Sequence, residues 1–171
     1  EKAVIDTACI AIPTIATMSA KGRLANIGSN KQGADIDLAG TIFNVEPFTG
    51  STTATPLSLN GNAKARGSLY SANIDINGNG GGNILAFYDT KSEIYNAKID
   101  LKQFDIEASI GAVPVKNLSM RASLSGAGTD IYAPATYYQL FAAIDTLQYS
   151  NFIVTGTTVS AFQANSFSLI S

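Results

Sequence analysis

Leu69-Tyr70-Ser71-Ala72-Asn73-Ile74-Asp75-Ile76 returns 25 positions later as Ile94-Tyr95-Asn96-Ala97-Lys98-Ile99-Asp100-Leu101. The core of the pattern also stands upstream, as Ala34-Asp35-Ile36-Asp37-Leu38. In each copy Ala, Ile or Leu occupies every second position and polar residues fill the gaps. Side chains alternate faces along a strand, so the repeat encodes strands with one apolar and one wet face. Ala72, Ile74 and Ile76 are expected to share an interior with Ala97, Ile99 and Leu101.

The remaining chain continues the theme. Further alternating runs are Leu57 to Leu59, Ile84 to Tyr88 and Leu118 to Leu124. Two terminal strands are expected, over 149–155 and 159–169, around Gly156. Lys21-Gly22, residues 28–33, the Ser/Thr-rich stretch 49–56, Asp89-Thr90-Lys91 and Gly126-Ala127-Gly128 read as loops or strand ends. Asn60-Gly61-Asn62 reads as a hairpin turn, because Asn and Gly tolerate positive φ, and Asn77 to Asn83 as a Gly-rich turn. Apolar positions fall on 97, 99 and 101, then on 104, 106, 108 and 110. That change of parity predicts a bulge near Lys102-Gln103. Tyr137, Leu140, Phe141, Ile144 and Leu147 recur at near-helical spacing behind Pro134, predicting one helix over 134–148. The fold class expected is an all-β, mainly antiparallel sandwich or open barrel with that short helix. A right-handed β-helix, whose coils have a similar period, is the alternative.

At 171 residues the chain suits one domain, with an apolar arm over residues 1–18 and a β domain over 19–171. Charged residues make up 14% of the chain, well under the usual quarter, and the net charge is −2. Scattered charge of that kind leaves no footprint for nucleic acid. No run is long and apolar enough for a transmembrane helix, and Glu1 is not preceded by a basic leader region, so a processed mature chain is expected.

Catalytic chemistry is poorly supplied. Histidine and tryptophan are absent, which removes Ser/His/Asp, Cys/His and histidine-metal sets. The single Cys9 sits in an apolar run and reads as a buried, inert thiol. Asp75-Ile76-Asn77-Gly78-Asn79-Gly80 matches the first half of a calcium loop, but position twelve is Ala86, so the bidentate carboxylate is missing. The pairs Asp35/Asp37 and Asp105/Glu107 read as solvated strand faces rather than an acid/base pair. Tyr70, Tyr95 and Tyr149 read as rings covering a sheet end, with an exposed aromatic ladder as the functional counterpart. Tyr132, Tyr137 and Tyr138 could form a small patch. No enzyme activity, metal or cofactor is expected. Asn117-Leu118-Ser119 fits a glycosylation sequon, with Asn117 as acceptor.

An all-β chain of this size, with few charges, no catalytic set, Ser/Thr/Asn/Gly-rich connections and an apolar N-terminal arm, resembles extracellular fibre subunits of the pilin or fimbrial type. It departs from chaperone–usher subunits in having one cysteine rather than a pair. The resemblance implies a secreted or cell-surface structural subunit that polymerises with copies of itself. Val4, Ile5, Ile10, Ile12, Ile15 and Met18 of the arm would complement a neighbouring subunit by donor-strand exchange. A monomeric adhesin or carbohydrate-binding module contacting surface glycans is the alternative reading. A viral structural protein is the third.

Overall fold

The computed structural model describes residues 2–13, 15–26, 29, 31–42, 55–110, 113–130, 133 and 135–164. Ten strands form one antiparallel sheet in which every strand lies beside its sequence neighbours. They are β1 (Lys2–Ile12), β2 (Ala16–Ala25), β3 (Gly33–Ile42), β4 (Leu57–Arg66), β5 (Leu69–Gly78), β6 (Gly80–Asp89), β7 (Ile94–Phe104), β8 (Val115–Ala127), β9 (Tyr137–Tyr149) and β10 (Phe152–Ala164). One short helix, α1 (Ile106–Ile110), joins β7 to β8. The sheet is all-β and antiparallel, as the alternation predicts, and it is open, with β1 and β10 at its two edges. Its antiparallel pairing excludes a β-helix. The 25-residue period is one hairpin: a strand out, a turn, a strand back and a turn. It places β5 and β7 in the same direction on either side of β6.

Register turns the alternation into continuous rows, because directly opposed residues of an antiparallel pair share a face. One row runs across all ten strands through Ala8, Ala20, Leu38, Gly61, Ile74, Ile84, Ile99, Ala122, Ala142 and Val159. The next runs through Ile5, Gly22, Ile36, Ala63, Ala72, Ala86, Ala97, Leu124, Leu140 and Ala161. The expected partnership of Ala72, Ile74 and Ile76 with Ala97, Ile99 and Leu101 therefore holds as a shared face. The opposite face carries Asp35, Lys64, Ser71, Asn73, Asp75, Asn96, Lys98 and Arg121, all exposed.

The two faces differ in accessibility. Ile84 and Leu85 are consecutive on β6, yet Ile84 is half-buried while Leu85 on the outer face is 44% exposed. Glycines on the inner rows let neighbouring strands come close. A Cβ on Gly22 would overlap the Asp35 carbonyl oxygen of β3, and one on Gly61 would overlap that of Asn73 on β5. This corrects two expectations. Lys21-Gly22 and Asn60-Gly61-Asn62 are not turns; they lie inside β2 and β4, where glycine lets adjacent backbones approach.

Three other assignments also change. Residues 137–148 are strand β9, not helix; Pro134 and Tyr132 lie outside the described residues. The helical spacing arose because Tyr137 and Phe141 stand on the outer face, hiding an inner period-2 set of Tyr138, Leu140, Ala142 and Ile144. Hydrogen bonding from β8 and β10 on both sides overrides the pattern. Conversely, Ile106–Ile110 is helical because Asp105 caps it: the Ala108 N–H donates to Asp105 Oδ1 at 2.8 Å. Finally, the chain around Gly156 is one strand, β10, and residues 165–169 lie outside the described residues. The bulge near Lys102-Gln103 is present, with Gln103 at φ 51° and the register shifting between Leu101 and Phe104.

Candidate functional site

No second layer seals the apolar face among the described residues. Apart from α1 against β8, the extensive contacts between elements are those between adjacent strands. The surface area is 11214 Å², against about 8,000 Å² for a compact monomer of this mass. Among the described residues the buried apolar side chains are few, namely Ala16, Phe104, Val115 and Leu118. Phe104, Val115 and Leu118 sit beside α1, so a small core closes one end of the trough near the β7–β8 connection. Along the rest, Ile36, Leu38, Ile74, Ile76, Ile99, Leu101 and Met120 are only half-buried.

The opposite rim is aromatic. Tyr70, Tyr88 and Tyr95 oppose one another in sequence across β5, β6 and β7, and the same row continues through Gly126 to Tyr138. A Cβ on Gly126 would lie 2.5 Å from the Tyr95 hydroxyl, so the Tyr95 ring lies over that glycine. Gln32 Nε2 donates to the Tyr70 hydroxyl at 3.3 Å. Of the three tyrosines singled out in the sequence, Tyr70 and Tyr95 belong to this row. Tyr149 stands at the far end of β9, and Tyr137 points to the outer face.

Immediately inside the rim the inner side chains shrink. Ala34, Ala63, Ala65, Ala72 and Ala86 floor a concavity of about 420 Å³, walled by Ile36, Tyr70 and Tyr88. Small residues beside large aromatics make a pocket of the size that holds a small apolar group. Alternation predicts apolar character here, but no local signal shows that five alanines from four strands converge; that follows from register.

The outer face uses its polar residues on itself. Asn62 Nδ2 on β4 donates to Asp35 Oδ1 at 2.8 Å and to Asp37 Oδ1 at 3.0 Å on β3. Asn83 Nδ2 on β6 donates to Asn73 Oδ1 and Asp75 Oδ1, both at 2.7 Å, on β5. The repeated D-I-D and N-I-D segments are thus clamps, in which two acceptors on alternate residues grip one amide from the next strand. Asp75 lies in a strand and accepts from Asn83, while Asn79 Nδ2 donates to Thr55 Oγ1 at 2.8 Å. Among the described residues no group of three His, Cys, Asp or Glu could hold a metal. Asp105 and Glu107 do not share a strand face: Asp105 caps α1 and Glu107 pairs with Lys116 at 3.4 Å.

The N-terminal arm differs from its expected state. β1 pairs with β2, and β2 runs from Ala16 across the expected boundary at residue 18 to pair with β3, all within the same chain. The arm's two-sided apolar pattern has a local cause. Asp6 and Thr7 bulge between Ile5 and Ala8, so Ile5, Ile10 and Ile12 face inward with Met18, despite their different parities. Val4 faces outward and Ile15 lies in the β1–β2 turn, its N–H donating to Ile12 O at 3.0 Å. Cys9 is exposed on the outer face rather than buried. Asn117 sits in a bulge of β8 at φ 50°, exposed, donating from Nδ2 to Gln148 Oε1 at 3.0 Å.

No helix among the described residues is long and apolar enough to cross a membrane. Comparison with protein-family models, with curated proteins and with solved structures finds no match. The geometry defines the class instead: an open antiparallel meander with an apolar inner face and a mainly polar outer face.

Proposed function

We propose that the protein binds elongated apolar ligands, the acyl chains of lipids or fatty acids, along its inner face. The carrying observation is the apolar face, which spans ten strands and has no covering layer among the described residues. Apolar surface left in water costs about 25 cal/mol per Å², so a chain lying across these rows gains from every methylene it buries. The alanine-floored concavity offers a seat for the chain, and the hydroxyls of the Tyr70–Tyr88–Tyr95 row stand at the rim where a polar headgroup would meet water. Titration with a fluorescent fatty acid, together with mass spectrometry of organic extracts of the purified protein, tests this. Saturable binding is expected, weakened at least tenfold by Ala72→Trp, which fills the concavity, and unchanged by Asn96→Trp, exposed on the outer face away from it. Absence of saturable binding and of extractable lipid refutes it.

A second reading is the one the sequence resemblance implies: a structural subunit that assembles with copies of itself. Its support is that both edge strands present unpaired backbone, with Val4, Ile10 and Phe162 exposed along them. Negative-stain microscopy and light scattering of the purified chain test it; a monomer at every concentration rejects it.

A further inference from the structure

The two edges are not equally protected. Proteins normally blunt an open edge with charge, proline, a bulge or short length. β1 carries Lys2 and Asp6, and it is broken by the bulge at Asp6-Thr7. β10 lacks charge, proline and short length. Its sequence, Phe152–Ala164, contains no charged residue and no proline, and its one irregularity is Gly156 at φ 63°, beyond which residues 157–164 pair with β9 without a break. It also exposes Phe152 at 74% and Phe162 at 83%. A long, uncharged edge of this kind is a template for another strand.

We propose that β10 pairs with β10 of a second copy of this chain, antiparallel about a two-fold axis, joining two ten-stranded sheets into one. The second copy is the occupant because a two-fold axis normal to the sheet meets every requirement at once. It makes the strands antiparallel, keeps both apolar faces on one side, and, beyond Gly156, opposes even-numbered outer positions to even-numbered outer positions. Val159 and Ala161 then continue the apolar inner rows, and Phe162 of the outer face comes near the partner's outer face. The head-to-tail alternative, β10 against β1, requires the bulged and charged edge. This inference rests on the assembly reading and is independent of ligand binding.

Crosslinking tests the geometry directly. With Cys9→Ser as background, Thr158→Cys and Ser160→Cys place single thiols on the outer face of β10. Paired strands bring opposed residues near the two-fold axis to about 4.5–5.5 Å, within disulfide reach. Mild oxidation is expected to give a covalent dimer from at least one of these variants, and little from the parent chain, whose Cys9 lies on β1. Light scattering is expected to show a dimer for the parent. The double variant Thr158→Lys/Ser160→Lys is expected to be monomeric with an unchanged far-ultraviolet spectrum, since like charges then meet across the axis. A dimer that crosslinks through Cys9 but through neither β10 position overturns the inference and leaves the assembly reading standing. A parent chain that stays monomeric at high concentration overturns both.

Discussion

Gly61→Ala separates an unremarkable strand glycine from one that the close approach of a neighbouring strand requires. In an ordinary strand, alanine in place of glycine is favourable by about 0.5–1 kcal/mol, because the unfolded chain loses freedom. At Gly61 the added Cβ would stand 2.9 Å from the Ile74 Cα and closer still to the Asn73 carbonyl oxygen. Carbon atoms rest at about 3.5–4.0 Å, so β4 and β5 must separate by at least half an ångström where Gly61 faces Ile74, and by more to clear the Asn73 oxygen. Overpacking of that kind costs about 1–3 kcal/mol, outweighs the entropic gain and reverses its sign. Gly81→Ala is the control: it lies on β6, and its added Cβ meets nothing within 4 Å. Urea unfolding followed by circular dichroism reads both. With a slope of about 2 kcal/mol per molar, Gly61→Ala should lower the midpoint by roughly 0.5–1.5 M, and Gly81→Ala should leave it or raise it slightly. Equal midpoints for the two variants would refute the claim that the close approach of β5 requires glycine at position 61.

Ile99→Ala, on the half-buried inner face, should cost about 1–2 kcal/mol in the same assay, below the 2–5 kcal/mol of a sealed core, because water can enter the space left behind; a loss above 3 kcal/mol would mean that another layer covers the trough. Asn83→Ala should cost about 1 kcal/mol by orphaning the Asn73 and Asp75 oxygens, and no measurable loss would show the clamp to be decorative. Hydrogen bonds from Ser92, from Ser68 and from the Lys91 N–H hold the Asp89 carboxyl below its ordinary value of 3.8. A lowered folded-state value stabilises above the unfolded carboxyl's range and loses that contribution as pH falls through the folded value. The midpoint gap between the parent and Asp89→Asn should therefore be constant above about pH 5 and shrink below about pH 4; a gap independent of pH from 2.5 to 7 would refute it.

Alternation alone determined that this chain builds antiparallel strands with one apolar and one polar face, because the side-chain period of a strand is fixed by its covalent geometry. The 25-residue repeat, the Asp89-Thr90-Lys91 turn, a turn within the broader stretch Asn77 to Asn83 and the bulge near Lys102-Gln103 were legible for the same local reason. Where two periods fitted the same residues, local sequence misled. Phe141 and Tyr137 made β9 look helical, and Asp105's capping of α1 was hidden beneath an apparent alternation. Asn60-Gly61-Asn62 carries strong turn chemistry yet lies mid-strand, because Gly61 answers to the backbone of β5 rather than to its own neighbours. Only the tertiary structure decided that the ten strands form a single open sheet. Pairing order fixes which rows become continuous, which alanines gather beside Tyr70 and Tyr88, and which strand is left as an unprotected edge. Those are relations between residues far apart in the chain, and no local period encodes them.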